Sequence, residues 1–195
     1  MLALAAESAG VFETAGVPVL YCGVGKVNAA IALTRELCRY ALAAAPLPLV
    51  LNFGTCGSRV HAAGAFLACD RFVQRDMDVR GLGFALGVTP FDETPASLSV
   101  EPIFTRLRQG ICGSGDSFAI TECDLACDVL DMEGYALAKV CRLMGAPFGC
   151  VKYVTDGADH AAASDWQSNV HKAADQFLAL YQSVRTGPDH VTLAS

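Results

Sequence analysis

DMEGYALAKVCRLMGAPFGCVKYVTDGAD, Asp131 to Asp159, is the stretch that decides the fold. Apolar residues at helical spacing run from Asp131 to Met144 and predict a helix, with Glu133 near its start. Phe148 to Val154 is an apolar run that reads as a buried strand, and Asp156 follows it. In an α/β fold, ligands collect at the carboxyl ends of the strands. A carboxylate at a helix start and another at a strand end are therefore aimed at one place. With glycine-rich turns earlier in the chain, the pair suggests acid/base chemistry on a polar, hydroxyl-bearing small molecule.

Working outward, the segments alternate. Glu7 to Phe12 looks like the first turns of a helix, and Pro18 to Cys22 reads as a strand. Lys26 to Tyr40 has helical spacing, and Leu47 to Phe53 is an apolar strand followed by a turn at Gly54–Gly57. Ala65 to Gln74 is a further strand, Gly81 to Pro95 a loop with exposed-looking Phe84 and Phe91, and Ile111 to Gly115 a strand running into a turn. Ser168 to Val184 reads as a closing helix, with Ser164 or Asp165 as its cap. Strands alternating with helices predict an α/β fold with a mostly parallel or mixed sheet covered on both faces.

The 195 residues fit one domain, residues 1–195, with a tail from about 186 expected to fray. With 53% hydrophobic and only 17% charged residues, the chain can bury a large core and has the charge-poor surface of a compact enzyme with a partner subunit. A net charge of -6 argues against nucleic acid. The chain's start lacks a basic, long apolar leader, and no apolar run is long enough to span a membrane, so a cytoplasmic protein is expected. The nine cysteines are odd in number. Cys22, Cys38, Cys141 and Cys150 sit in apolar runs and read as buried, reduced thiols. Cys123 and Cys127 have no histidine nearby, so neither a zinc site nor any other metal or cofactor is expected.

CGVGKVNAA (residues 22–30) fails both nucleotide-binding patterns: Asn28 stands where a third glycine would be needed, and Val27 where a Walker loop needs Ser or Thr. What remains is a glycine turn opening a helix, whose N–H groups are free to bind. LNFGTCGSR (51–59) offers two glycines, the hydroxyl of Thr55, and Cys56, which reads as a buried thiol. In GSGDSF (113–118), Phe118 is either core or a platform for a flat ring.

Six segments in order, GVGKVNAA, NFGTCG, DMDVRGLGF, SGDSF, DMEGYALAKVC and VKYVTDGAD, resemble the nucleoside phosphorylase and nucleosidase superfamily. Within it, the chain is most similar to the 5'-methylthioadenosine/S-adenosylhomocysteine nucleosidases. The resemblance implies a three-layer α/β/α sandwich around a mixed, partly barrel-like sheet, and cleavage of a purine N-ribosidic bond. It implies Asp156 as the general acid on purine N7, and Glu7, the acidic residue that survives in LAAES, as the base for water. Glu133 would hold the ribose hydroxyls with Met132 packed on the sugar. Phe118 would stack on the purine, the backbone at Ala119 would read its edge, and Thr55 and Gly57 would lie beside ribose and water. Val79, Leu82, Phe84 and Pro90 would line the 5'-substituent pocket across a homodimer interface. The chain is shorter than typical members. Asn52 occupies a position where phosphorylases of the superfamily carry a phosphate-binding arginine, which favours water as nucleophile. A phosphate-dependent phosphorylase, with Arg59 and Arg75 as its cations, and a nucleoside-binding protein without turnover are the rival expectations.

Overall fold

The computed structural model describes residues 1–118 and 123–186. Six strands form one mixed sheet: β1 (Val50–Gly57), β2 (Phe66–Gln74), β3 (Ser97–Ser99), β4 (Arg108–Ser114), β5 (Val129–Asp131) and β6 (Phe148–Asp156). Their order is β3-β2-β4-β5-β1-β6, and β6 pairs back onto β2. The far side of β2 is shared, Phe66–Ala68 with β6 and Arg71–Val73 with β3, so five strands close into a ring. β1 runs parallel to β6, and β4 runs parallel to both β2 and β5.

The helices are α1 (Ala5–Ser8), α2 (Val11–Thr14), α3 (Lys26–Leu42), α4 (Gly134–Met144), α5 (Ala162–Asn169) and α6 (Ala174–Thr186). The amphipathic α3 and α4 pack Leu33, Leu37, Leu137 and Cys141 against Phe72, Cys112 and Cys150 of the sheet. A second, aromatic core gathers Phe12, Phe53, Phe104 and Phe177, the ring centroids of Phe53 and Phe177 lying 5.3 Å apart.

Several expected elements are redrawn. Pro18–Cys22 is no strand: a single parallel bridge, Tyr21 to Leu2, joins it to the short segment at the start of the chain. Gly54–Gly57 is not a turn, because the parallel partner β6 carries β1 through both glycines. The closing helix is two helices, so Ser164 and Asp165 lie inside α5 rather than capping α6. The helix expected from Asp131 begins at Gly134, since Asp131 ends β5. Cys38 is exposed: Leu33 and Leu37 point α3 inward, and the next residue is rotated by about 100°. Phe91 is exposed, whereas Phe84 is half-buried against it. The fraying expected for the tail concerns residues outside those described.

Candidate active site

A cavity of about 250 Å³ opens at the carboxyl ends of the strands. Three strands deliver pieces of its wall: Thr55, Cys56 and Gly57 from β1, Leu130 and Asp131 from β5, and Asp156 from β6. Arg75 follows β2, and Ser117 and Phe118 follow β4. Seven of the residues expected to form a site meet here: Glu7, Thr55, Gly57, Phe118, Met132, Glu133 and Asp156.

Glu7 is held on every side. Its position in the first turn of α1 lets the carboxylate reach back to the chain entering the helix. Oε2 accepts the N–H groups of Ala3 and Leu4 at 3.0 and 3.1 Å. Oε1 accepts the Thr55 N–H at 2.8 Å and the Thr55 hydroxyl at 2.9 Å. The Thr55 oxygen in turn accepts the indole N–H of Trp166 at 3.0 Å.

Asp156 owes its aim to a bulge. Cys56 pairs with Val154 and Gly57 with Asp156, leaving Thr155 as the extra residue that turns the strand end toward the cavity. Asp156 Oδ1 accepts the Ala158 N–H at 3.0 Å, and Oδ2 accepts the Thr155 hydroxyl at 2.7 Å. Gly57 has a steric reason to be glycine: a methyl group there would sit 2.6 Å from Asp156 Oδ1.

Glu133 stands just before α4, and its Oε1 accepts the Gly25 N–H at 2.9 Å. Gly25 has φ +95°, a conformation open to glycine, and any side chain would crowd Asp116. Asp116 takes the Lys26 N–H at 2.7 Å, so one donor of the α3 N-terminus is already occupied. Burial first, and then the neighbouring Asp131 charge, push the Glu133 carboxyl up to about 7. A folded pKa raised from 4.5 means that the proton favours the folded state. That stability is complete below about pH 4.5 and is lost as pH rises through 7. Glu133→Gln is therefore expected to stabilise the fold by about 3 kcal/mol at pH 8 and by little at pH 4. Denaturant midpoints at the two pH values check this; an equal shift at both would remove the carboxylate as the cause.

Beneath the cavity, Lys152 and Asp131 form an ion pair at 2.7 Å, each side chain 1% exposed. Burial works against the Lys152 ammonium, but Asp131 outweighs it and holds the lysine well above its ordinary value. Burial would likewise raise Asp131, yet Lys152 and the Ser114 hydroxyl keep it low. Asp131 also accepts the Ser114 hydroxyl at 2.5 Å and the Gly134 N–H at 2.8 Å. Gly54 gives this charge access to the site: a methyl there would meet Lys152 Nζ at 3.2 Å and Glu7 Oε1 at 3.4 Å.

Four expected contacts lie elsewhere. Val79, Leu82, Phe84 and Pro90 belong to the segment after β2 and do not line this chain's cavity; Leu82 is 73% exposed. Ala119 lies outside the described residues. Sequence reasoning passed over Lys152 and Trp166, and named Arg75 only as a cation for a phosphate-dependent rival. The signal for Lys152 was a cation inside an apolar strand, which has to be paired. Arg75 binds the loop that carries Phe118, donating to Ser117 O, to Ser117 Oγ at 3.2 Å and to Gly115 O at 3.3 Å. Arg59 is outside the cavity wall and donates to Ala158 O at 2.8 Å.

The strand-end cavity thus gathers four carboxylates, Glu7, Asp131, Glu133 and Asp156, on a ring-closed mixed sheet. The family model described as the phosphorylase superfamily covers residues 9–184, and the chain belongs to that family. It is 30% identical to a 5'-methylthioadenosine/S-adenosylhomocysteine nucleosidase of Shewanella baltica, over 85% of this chain and 77% of that protein. It is 26% identical to the aminodeoxyfutalosine nucleosidase of Helicobacter pylori, over 85% of this chain and 78% of the relative. The fold is that of a futalosine hydrolase mutant of Helicobacter pylori, with a TM-score of 0.81 at 20% identity, covering 93% of this chain and 95% of the other. The barrel-like sheet expected from the resemblance is present in the closed ring.

Proposed function

We propose that this protein hydrolyses the N-ribosidic bond of a purine nucleoside of the 5'-methylthioadenosine/S-adenosylhomocysteine type and releases adenine. The observation that carries the reading is the meeting of Glu7, Glu133 and Asp156 in one cavity with Phe118 at its edge. The bond breaks toward an oxocarbenium-like sugar, and the purine leaves well only if it leaves neutral. Asp156 supplies the proton to N7. Its partner Thr155 can accommodate the change, because the Thr155 hydroxyl also reaches Cys56 O at 3.2 Å and can turn to it. Glu133 accepts the ribose hydroxyls, Met132 packs on the sugar, and Phe118 stacks on the base. Glu7 takes the proton of the attacking water.

Water is favoured over phosphate by the state of the cavity's arginine. Arg75 is bonded to loop oxygens and offers no open bidentate fork for a dianion. Val79, Leu82, Phe84 and Pro90 are assigned to a neighbouring subunit's 5'-pocket in a homodimer. The exposure of Leu82 supports this, and an apolar lining suits an alkylthio group. The decisive experiment follows adenine release from methylthioadenosine with and without phosphate. Release without phosphate, together with free methylthioribose, is expected. Release that requires phosphate would make the protein a phosphorylase.

A further inference from the structure

Glu7 has a donor at every acceptor position of its carboxylate. A carboxylate offers about four lone-pair sites, and Ala3 N–H, Leu4 N–H, Thr55 N–H and the Thr55 hydroxyl fill them. A water that gave its proton directly to Glu7 would have to displace one of these. The three N–H groups are backbone and fixed by the chain. The fourth donor is the Thr55 hydroxyl, and it is also constrained. Its oxygen carries two lone pairs, and the Trp166 indole N–H occupies one at 3.0 Å. The hydroxyl hydrogen therefore points to Glu7, and one lone pair remains for a molecule in the cavity that Thr55 lines. Trp166 is itself anchored: Asn169, three residues on in α5, donates to Thr155 O at 2.8 Å. The helix thus spans from the Glu7 side of the cavity to the Asp156 side.

We propose that Thr55 is a proton relay, held in its donor orientation by Trp166, through which the attacking water loses its proton to Glu7. The water O–H bond breaks as an O–H bond forms on Thr55 Oγ1. The original Thr55 proton passes to Glu7 Oε1. The water oxygen bonds the sugar C1', and the electron pair of the C–N bond leaves with the purine, which takes its proton from Asp156. Glu7 ends protonated, Asp156 ionised, and both products neutral at the reacting atoms. The relay rests on the nucleosidase reading of the site. Thr55 touches the water and is a catalytic residue. Trp166 lines the cavity and acts on the water through the Thr55 oxygen that accepts its indole N–H, which makes it a positioning residue.

The test compares wild type, Thr55→Ser, Thr55→Val and Trp166→Phe on methylthioadenosine without phosphate. It measures kcat, KM and the solvent isotope effect across H2O/D2O mixtures. Thr55→Val keeps the strand-compatible shape and loses the relay, so kcat is expected to fall ~10²-fold or more with KM changed less than ~3-fold. Thr55→Ser is expected to stay within ~10-fold of wild type. Trp166→Phe keeps a ring but no N–H, and its kcat is expected between the two at unchanged KM. The wild-type isotope dependence is expected to be curved, from the two relay protons together with the Asp156 proton, and less curved in Thr55→Val. Thr55→Val turning over within ~3-fold of wild type, Thr55→Ser as impaired as Thr55→Val, or a linear wild-type dependence overturns the relay while hydrolysis stands. Wild type that releases no adenine without phosphate overturns the nucleosidase reading, and the relay with it.

Discussion

Asp156→Asn is expected to lower kcat for N-ribosidic cleavage by roughly 10²- to 10⁴-fold, the range of a lost general acid, while the protein stays folded and binds substrate. An amide can donate a hydrogen bond to N7 but cannot transfer the proton, so the purine would have to leave as an anion. The fold tolerates the change for a local reason. The amide oxygen of the variant would keep the Ala158 N–H, and the Thr155 hydroxyl can turn to Cys56 O while accepting from the new amide nitrogen. Single-turnover adenine release and equilibrium dialysis with methylthioadenosine separate chemistry from binding. A variant retaining more than a tenth of the wild-type rate would take the acid role away from Asp156.

Lys152→Met is expected to destabilise the fold by about 3–5 kcal/mol, because it leaves Asp131 as a buried charge without its cation. Domains of this kind hold on the order of 5–15 kcal/mol in total, so the loss is a large part of the whole. Met fills nearly the same volume, which confines the change to charge. The double variant Lys152→Met/Asp131→Asn is expected to recover at least half of the loss, since the amide oxygen can still accept from Gly134 or Ser114. Denaturant midpoints of the two variants decide it. A double variant no more stable than the single one would mean that the loss does not come from leaving Asp131 without its cation.

The long periodic elements were legible: α3 and β6 appear where spacing and apolarity put them. Short elements were not, because β3 and β5 have three residues each and carry no period. Gly54 and Gly57 misled for a physical reason. Glycines with a threonine between them carry turn chemistry, yet here a parallel neighbour supplies the hydrogen bonds and the missing side chains admit Lys152 and Asp156. In the site, Glu133 and Asp156 announced themselves by position in ordered motifs and Glu7 only through the family resemblance, whereas Trp166 and Arg75 act through contacts between distant segments. Trp166 meets a residue 111 positions away, and Arg75 a loop about 40 away. Such pairings exist only after the sheet has closed.

That closure bears on how so apolar a chain limits strand-to-strand pairing between its copies. An open sheet presents rows of unpaired backbone groups that can recruit a strand from another molecule. β2 and β6 use each other's outer sides, so among the described residues the outlying strand is β3, whose three residues alternate exposed Ser97 and Ser99 around a buried Leu98. A template that short and that polar is a poor seed for strand addition. For a chain with a mean hydropathy of +0.38, the protection against strand addition that the described strands offer is lodged in topology rather than in surface charge.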